Sequence, residues 1–299
     1  MKAVLVLLAL SALGAAQTSA QPADTSDADL LLAVKATFEN GDTVLAGWRN
    51  GTDVCSWRYV SCGADNRPDS IQIDELGLIG QIPQSAGWVF PNSTTELKLG
   101  KNRITGPIPP GWRLHQGKMG AACAPGLRCM NGLMRNYRRS PSRTAGLLSL
   151  YLSNNSLGGT FPADWRLPST VGNLIMENVS LSGPLPSGWS WPANLASFNL
   201  RTNRLTGSIP ESFTGSPGLQ ILNLDDNQLT GSIPVFTFDT AKEFYGLTAT
   251  NNNFSGSVPA WPDAPKAVLG IFPGSPGVCG AVGAAAAAAS EPAGMAELV

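Results

Sequence analysis

Residues 219–234 read LQILNLDDNQLTGSIP, and the same pattern returns along the chain. Aligned on L-x-x-L-x-L-x-x-N-x-L-x-G-x-I-P, residues 147–162 read LLSLYLSNNSLGGTFP and 195–210 read LASFNLRTNRLTGSIP. Further copies lie at 94–109 (TTELKLGKNRITGPIP) and 171–186 (VGNLIMENVSLSGPLP). A looser copy is 244–259, FYGLTATNNNFSGSVP, and a degenerate first copy is 68–83, PDSIQIDELGLIGQIP. The asparagine column falls at Leu76, Asn102, Asn155, Val179, Asn203, Asn227 and Asn252. One spacing stands out, the 53-residue step from Asn102 to Asn155 among steps of 24 to 26.

Each motif position has a physical task. The L-x-L pair puts two side chains on one face of a short strand, because strand side chains alternate. An inward asparagine bonds backbone groups of the neighbouring coil that cannot reach water. The glycine reaches backbone geometry closed to other residues, and the Ile-Pro step starts an extended exit. One coil cannot bury its leucines alone, so coils stack into a curved solenoid with parallel strands on the concave side.

The pattern closely resembles plant-type extracellular leucine-rich repeats, as in receptor-kinase ectodomains and polygalacturonase-inhibiting proteins, over roughly residues 27–280. The resemblance implies an α/β repeat solenoid: a right-handed superhelix of about seven repeats over 68–262, with a parallel concave β-sheet and a 3-10 or irregular convex side. Trp112, Trp165 and Trp189 each stand three residues after a proline, a variant that looks green-algal; the resemblance places them in the convex core.

Residues 27–66 resemble the family's N-terminal cap. Leu30, Leu31, Val34 and Phe38 form a helical stripe. The Cys55-x-Trp57…Cys62 segment resembles C-x-W-x-G-V-x-C, with Tyr59 where glycine is expected; it implies a Cys55–Cys62 disulfide, suited to an oxidising compartment. Residues 263–299 begin like a C-terminal cap but run into an alanine-rich tail, leaving Cys279 without its expected partner and raising the possibility of a truncated receptor ectodomain.

Residues 1–20, MKAVLVLLALSALGAAQTSA, read as a secretory signal peptide: a lysine, a short apolar run, then small residues. Sequons at Asn50, Asn92, Asn154, Asn178 and Asn253 fit export and mark glycosylation candidates. No apolar stretch is long enough to cross a bilayer, so no transmembrane segment is expected. The expected location is extracellular, at the cell surface or cell wall.

The 53-residue step contains an anomalous block, 118–146. It holds six of the twenty Lys and Arg, no acid, and Cys123 and Cys129. Deleting it restores a 24-residue register, and its flanks are encodable as splice signals, so the leading reading is a retained intron or a shifted exon boundary. The alternative is a basic loop, closed by Cys123 and Cys129, that binds an acidic partner. A metal site at His115, Cys123 and Cys129 lacks a fourth ligand and the usual spacing.

Composition narrows function further. Net charge is −1, no footprint for nucleic acid, and the chain has one histidine. Neither G-x-S-x-G nor H-E-x-x-H occurs, and the acidic pairs Asp74-Glu75 and Asp225-Asp226 point to opposite faces of a strand. The expectation is a non-enzyme without cofactor or metal. Its binding residues lie on the concave face: Asp74, Glu96, Lys98, Tyr151, Glu177, Asn199, Arg201, Asn223, Asp225, Tyr245 and Thr248. The family resemblance implies a protein or peptide ligand. The alternative is a wall-associated inhibitor or structural protein that binds a wall enzyme or polysaccharide.

Overall fold

The computed structural model describes residues 26–84, 87–110, 112, 114, 146–163, 165, 167–189, 192–214, 218–236, 246–256 and 277–278. The signal-like segment, the basic block up to residue 145, His115, Cys123, Cys129, Tyr245 and Cys279 lie outside them.

The chain opens with helix α1 (Asp27–Lys35), capped by Ser26, whose side chain accepts the Asp29 N–H while the Asp29 carboxylate accepts from Ser26. The single turn α2 (Gly41–Val44) follows. Leu30, Leu31 and Val34 are buried as the stripe predicts, whereas Phe38 lies past the helix end and is buried beside a bridge to Gly80. Asn40 joins cap to solenoid: its Oδ1 accepts the Ile79 N–H and its Nδ2 donates to the Gly77 carbonyl. Cys55 and Cys62 are disulfide-bonded with Cα atoms 5.6 Å apart. Tyr59, where the cap pattern has glycine, sits at φ +73°, which explains why that pattern calls for a residue without a Cβ.

Eight strands form the main sheet, in the order β1 (Val60–Cys62), β2 (Pro68–Gln72), β4 (Glu96–Lys98), β6 (Ser149–Tyr151), β7 (Asn173–Ile175), β9 (Ser197–Asn199), β11 (Ile221–Asn223) and β13 (Gly246–Thr248). Only β1 is antiparallel to its neighbour; from β2 onward every pair is parallel. A second parallel sheet runs β8 (Ser182–Pro184), β10 (Arg204–Gly207), β12 (Gln228–Gly231), β14 (Asn253–Gly256) and β15 (Gly277–Val278), and β3 (Ile79–Gln81) pairs with β5 (Arg103–Thr105). The helices α1 and α2 lie in the cap, and two 3-10 turns, Val54–Ser56 and Glu211–Phe213, complete the helical content of the described residues.

The step across the basic block is closed by direct pairing. Glu96, Leu97 and Lys98 face Ser149, Leu150 and Tyr151, and a bridge joins Thr105 to Ser156. Asn155 donates to the Leu99 carbonyl and accepts from the Ile104 N–H, so the coils before and after the block are adjacent.

Three buried columns hold the stack together. The L-x-L positions, such as Leu97/Leu99, Leu150/Leu152 and Leu222/Leu224, are fully buried. Beside them runs the asparagine column. Asn203, 7% exposed, donates to the carbonyls of Met176, Leu200 and Arg201 and accepts the N–H groups of Val179 and Leu181. Asn102, Asn155, Asn227 and Asn252 repeat this arrangement. The motif glycines, Gly207 at φ +75° and Gly231 at φ +78° among them, supply left-handed turns. The third column is aromatic. Trp88, Trp112, Trp165, Trp189 and Phe213 follow one another with ring centroids 5.7–6.5 Å apart, and Trp112, Trp165 and Trp189 are core, as expected.

Candidate binding face

Alternation along each main-sheet strand leaves the residues flanking its buried centre on the opposite face. Parallel register then stacks equivalent positions of successive coils into columns. One outward column runs Gln72, Lys98, Tyr151, Ile175, Asn199, Asn223 and Thr248. Two residues further along lie Asp74, Ser153, Glu177, Arg201, Asp225 and Thr250, and next to these come Glu75, Lys101, Asn154, Asn178, Thr202, Asp226 and Asn251. The last column has positive φ throughout, between 50° and 58°.

The predicted residues fall into two groups on this face. The first surrounds Glu96 on β4. Its Oε2 accepts from Ser70 Oγ at 2.8 Å and Gln72 Nε2 at 3.1 Å, and its Oε1 lies 3.3 Å from Lys98 Nζ. Partial burial pushes the Glu96 carboxyl upward, but the Ser70 hydrogen bond and the Lys98 charge outweigh it and hold the group below the ordinary carboxylate range. Lys98 also sits 5.6 Å from the centroid of the Tyr151 ring. Asp74 is half-buried one column away.

The second group centres on Arg201. Its Nε donates to Asp226 Oδ2 at 3.1 Å, and Glu177 and Asp225 add their fields to that of Asp226, which raises the guanidinium pKa. Asp226 also accepts from Asn251 Nδ2 at 2.7 Å; that bond and the Arg201 contact hold its carboxyl below the usual range. Asn223 Oδ1 accepts the Asp225 N–H at 3.0 Å, fixing the turn that carries the aspartates. Asp225 Oδ1 accepts the Thr250 N–H. On β13, the hydroxyl of Thr248 is buried and has no hydrogen-bond partner among the described residues. Tyr245, expected beside it, lies outside the described residues.

Asn199 requires a correction. It is 5% exposed, so it is not an available contact. Its Nδ2 donates to Glu177 and its Oδ1 accepts the Arg201 N–H at 2.9 Å, so it positions both neighbours. Ile175, between Tyr151 and Asn199 in the same row, also alternates outward and is 4% exposed.

The sequons also separate. Asn50, Asn154, Asn178 and Asn253 are exposed. Asn154 and Asn178 touch, the Nδ2 of the second donating to the Oδ1 of the first at 2.9 Å. Asn92 is half-buried, its Oδ1 is buried, and Thr94 of its sequon is 2% exposed. Sequence reasoning passed over Trp88, which joins the aromatic column from five residues after Pro83, not three. It also left Asp226 among the variable positions, although Asp226 is the partner that fixes Arg201. The charge in the column next to Arg201 was the available signal.

Comparison with known proteins agrees with this architecture. Residues 24–63 match the leucine rich repeat N-terminal domain, and residues 146–167, 194–216 and 218–238 match the Leucine Rich Repeat. The chain therefore carries a leucine-rich-repeat N-terminal domain followed by leucine-rich repeats. It is 39% identical over 61 residues to the receptor-like kinase TMK2 of Arabidopsis thaliana, covering 20% of this chain and 7% of the kinase. It is 40% identical over 86 residues to a polygalacturonase inhibitor of Pyrus communis, covering 28% of this chain and 25% of the inhibitor. The chain thus spans a quarter or less of the length of these relatives. Among solved structures, a pollen receptor kinase 3 aligns with 25% identity and a TM-score of 0.48 over 80% of this chain and 89% of that one. A chain of the BIR3–SERK2 complex from Arabidopsis thaliana aligns with 24% identity and a TM-score of 0.47 over 68% and 95%. No helix among the described residues is long and apolar enough to cross a membrane.

Proposed function

We propose that the protein is an exported, non-enzymatic leucine-rich-repeat binding protein that recognises a protein or peptide across the outward face of its main sheet. One observation carries this reading. The inward positions repeat the same few residues from coil to coil, while the outward column varies in chemistry along the stack, as at Lys98, Tyr151, Asn223 and Thr248. A rigid core with a non-repeating face is what an extended recognition surface requires. Export is supported by the signal-like N-terminus, the four exposed sequons and the Cys55–Cys62 disulfide. Residence at the cell surface or in the cell wall follows from the same reading.

The test uses full-length protein recovered from medium. A partner captured by the native protein is expected to be lost by the Tyr151→Ala/Arg201→Ala double variant at unchanged melting temperature. Undiminished capture by that variant would remove the face from the proposal. A second reading, favoured by the stretch shared with the polygalacturonase inhibitor, makes the protein ligand a wall-degrading hydrolase. Dose-dependent inhibition of a pectin hydrolase, lost in the same variant, would select it.

A further inference from the structure

Resting on that reading, we infer that the main-sheet face docks a basic, extended peptide segment and is not built for an acidic partner or a polyuronate. The argument is one of charge complementarity. Among the described residues of the face, the cations are Lys98, Lys101 and Arg201. Each is already engaged by a carboxylate of the same face: Lys98 by Glu96, Lys101 by Glu75 and Arg201 by Asp226. No cation among these residues is left over to receive an anionic ligand.

Carboxylates are left over. Among the described residues, Asp74, Glu177 and Asp225 form no ion pair of their own, and Arg201 stands alone among Glu177, Asp225 and Asp226. Glu177 and Asp225 occupy one column two strands apart, about 10 Å at the usual interstrand spacing. A peptide crossing the strands as an extended polyproline-II helix has three residues per turn and advances about 9 Å per turn, so cationic side chains at i and i+3 lie on one side and meet both carboxylates. The Asn199 amide and Asn223 carbonyl oxygen hold these groups in place before a ligand arrives, which lowers the ordering cost of docking. Towards the N-terminal coils, the half-buried Tyr151 ring, approached by Lys98 on its π-face, offers the apolar contact that an aromatic or aliphatic residue of the same segment would take.

The experiment measures fluorescence anisotropy of full-length protein with three labelled Gly/Ser peptides. One carries two arginines three residues apart, one has glutamine at those positions and one has glutamate; oligogalacturonate serves as competitor. The arginine peptide is expected to bind at least about tenfold more tightly than the glutamine peptide and to weaken with added salt. Glu177→Gln/Asp225→Asn is expected to remove that advantage, while Glu39→Gln, in the cap, leaves it intact. Equal binding of the glutamine peptide, preference for glutamate, or displacement by oligogalacturonate would overturn the inference. If a neutral peptide binds and Tyr151→Ala abolishes it, the face still binds and only the basic occupant is wrong. A gain in affinity on deleting residues 118–146 would assign the face to the chain's own basic block and would equally overturn an external basic ligand.

Discussion

Two columns that run side by side through the solenoid obey different rules. Asn102, Asn155, Asn203, Asn227 and Asn252 are buried and make nearly the same bonds in every coil. The residues immediately before them, Lys101, Asn154, Thr202, Asp226 and Asn251, share a left-handed backbone but little chemistry. The first column serves backbone groups that have no access to water, so its identity is dictated from inside. The second faces solvent, and only its φ is constrained. Architecture is therefore recorded in one column, and whatever the protein recognises is recorded in its neighbours.

The sharpest way to break this contrast is Asn203→Ala. It strands the buried N–H groups of Val179 and Leu181 and removes donors to three carbonyls. The expected destabilisation is about 2–4 kcal/mol, read as a lowered denaturant midpoint. A loss below about 0.5 kcal/mol would mean that the column is not what ties the coils together. The reciprocal change, Val179→Asn, places the missing asparagine where the column is interrupted by a fully buried valine. Its stability is expected within about 1 kcal/mol of native, because new hydrogen bonds offset the lost apolar burial. A large loss there would show that this coil has diverged from its neighbours.

In the adjacent column, Asp226→Asn is expected to cost less than about 1 kcal/mol at pH 7, since the Arg201 pair is partly solvated. The pH dependence has a definite sign. The folded carboxyl lies below its ordinary value, so its contribution is present above the usual carboxylate range and fades as pH falls through the depressed folded value. Melting curves between neutral and acidic pH should therefore fall slightly more steeply for the native chain than for Asp226→Asn; parallel curves would remove Asp226 from the account. Smallest of all, Tyr151→Ala should leave stability within about 0.5 kcal/mol, as expected for a half-exposed side chain away from the core, while removing the binding proposed for the face.

The same contrast explains what could be read from the sequence. Leu222 and Leu224, Asn227 and Gly231 each answer a constraint that recurs in most coils, so repetition exposes them. Trp88 escaped because its distance from Pro83 differs from that of the other tryptophans, although its ring fills the same column and its Nε1 donates to Thr37 of the cap. Phe38 follows the helical stripe yet lies beyond Lys35, since apolar spacing does not mark where a helix stops. Asn199 and Ile175 alternate outward like their neighbours and yet are covered, so alternation along the strand does not decide exposure. Burial on a sheet face is set across strands, where a single sequence has no local signal.

The β4–β6 junction carries a consequence for how this architecture tolerates change. Leu97 and Leu150 pair across 53 residues, whereas Leu174 and Phe198 pair across 24. Loop-closure entropy grows only with the logarithm of length, so the longer connection costs roughly 0.7 kcal/mol more to close, less than one buried methylene contributes. A stacked coil is thus a permissive host. Extra sequence can enter on the return path of one turn while both neighbouring turns keep their register, and natural variation or deliberate grafting at this point can add a new module without redesigning the scaffold that presents it.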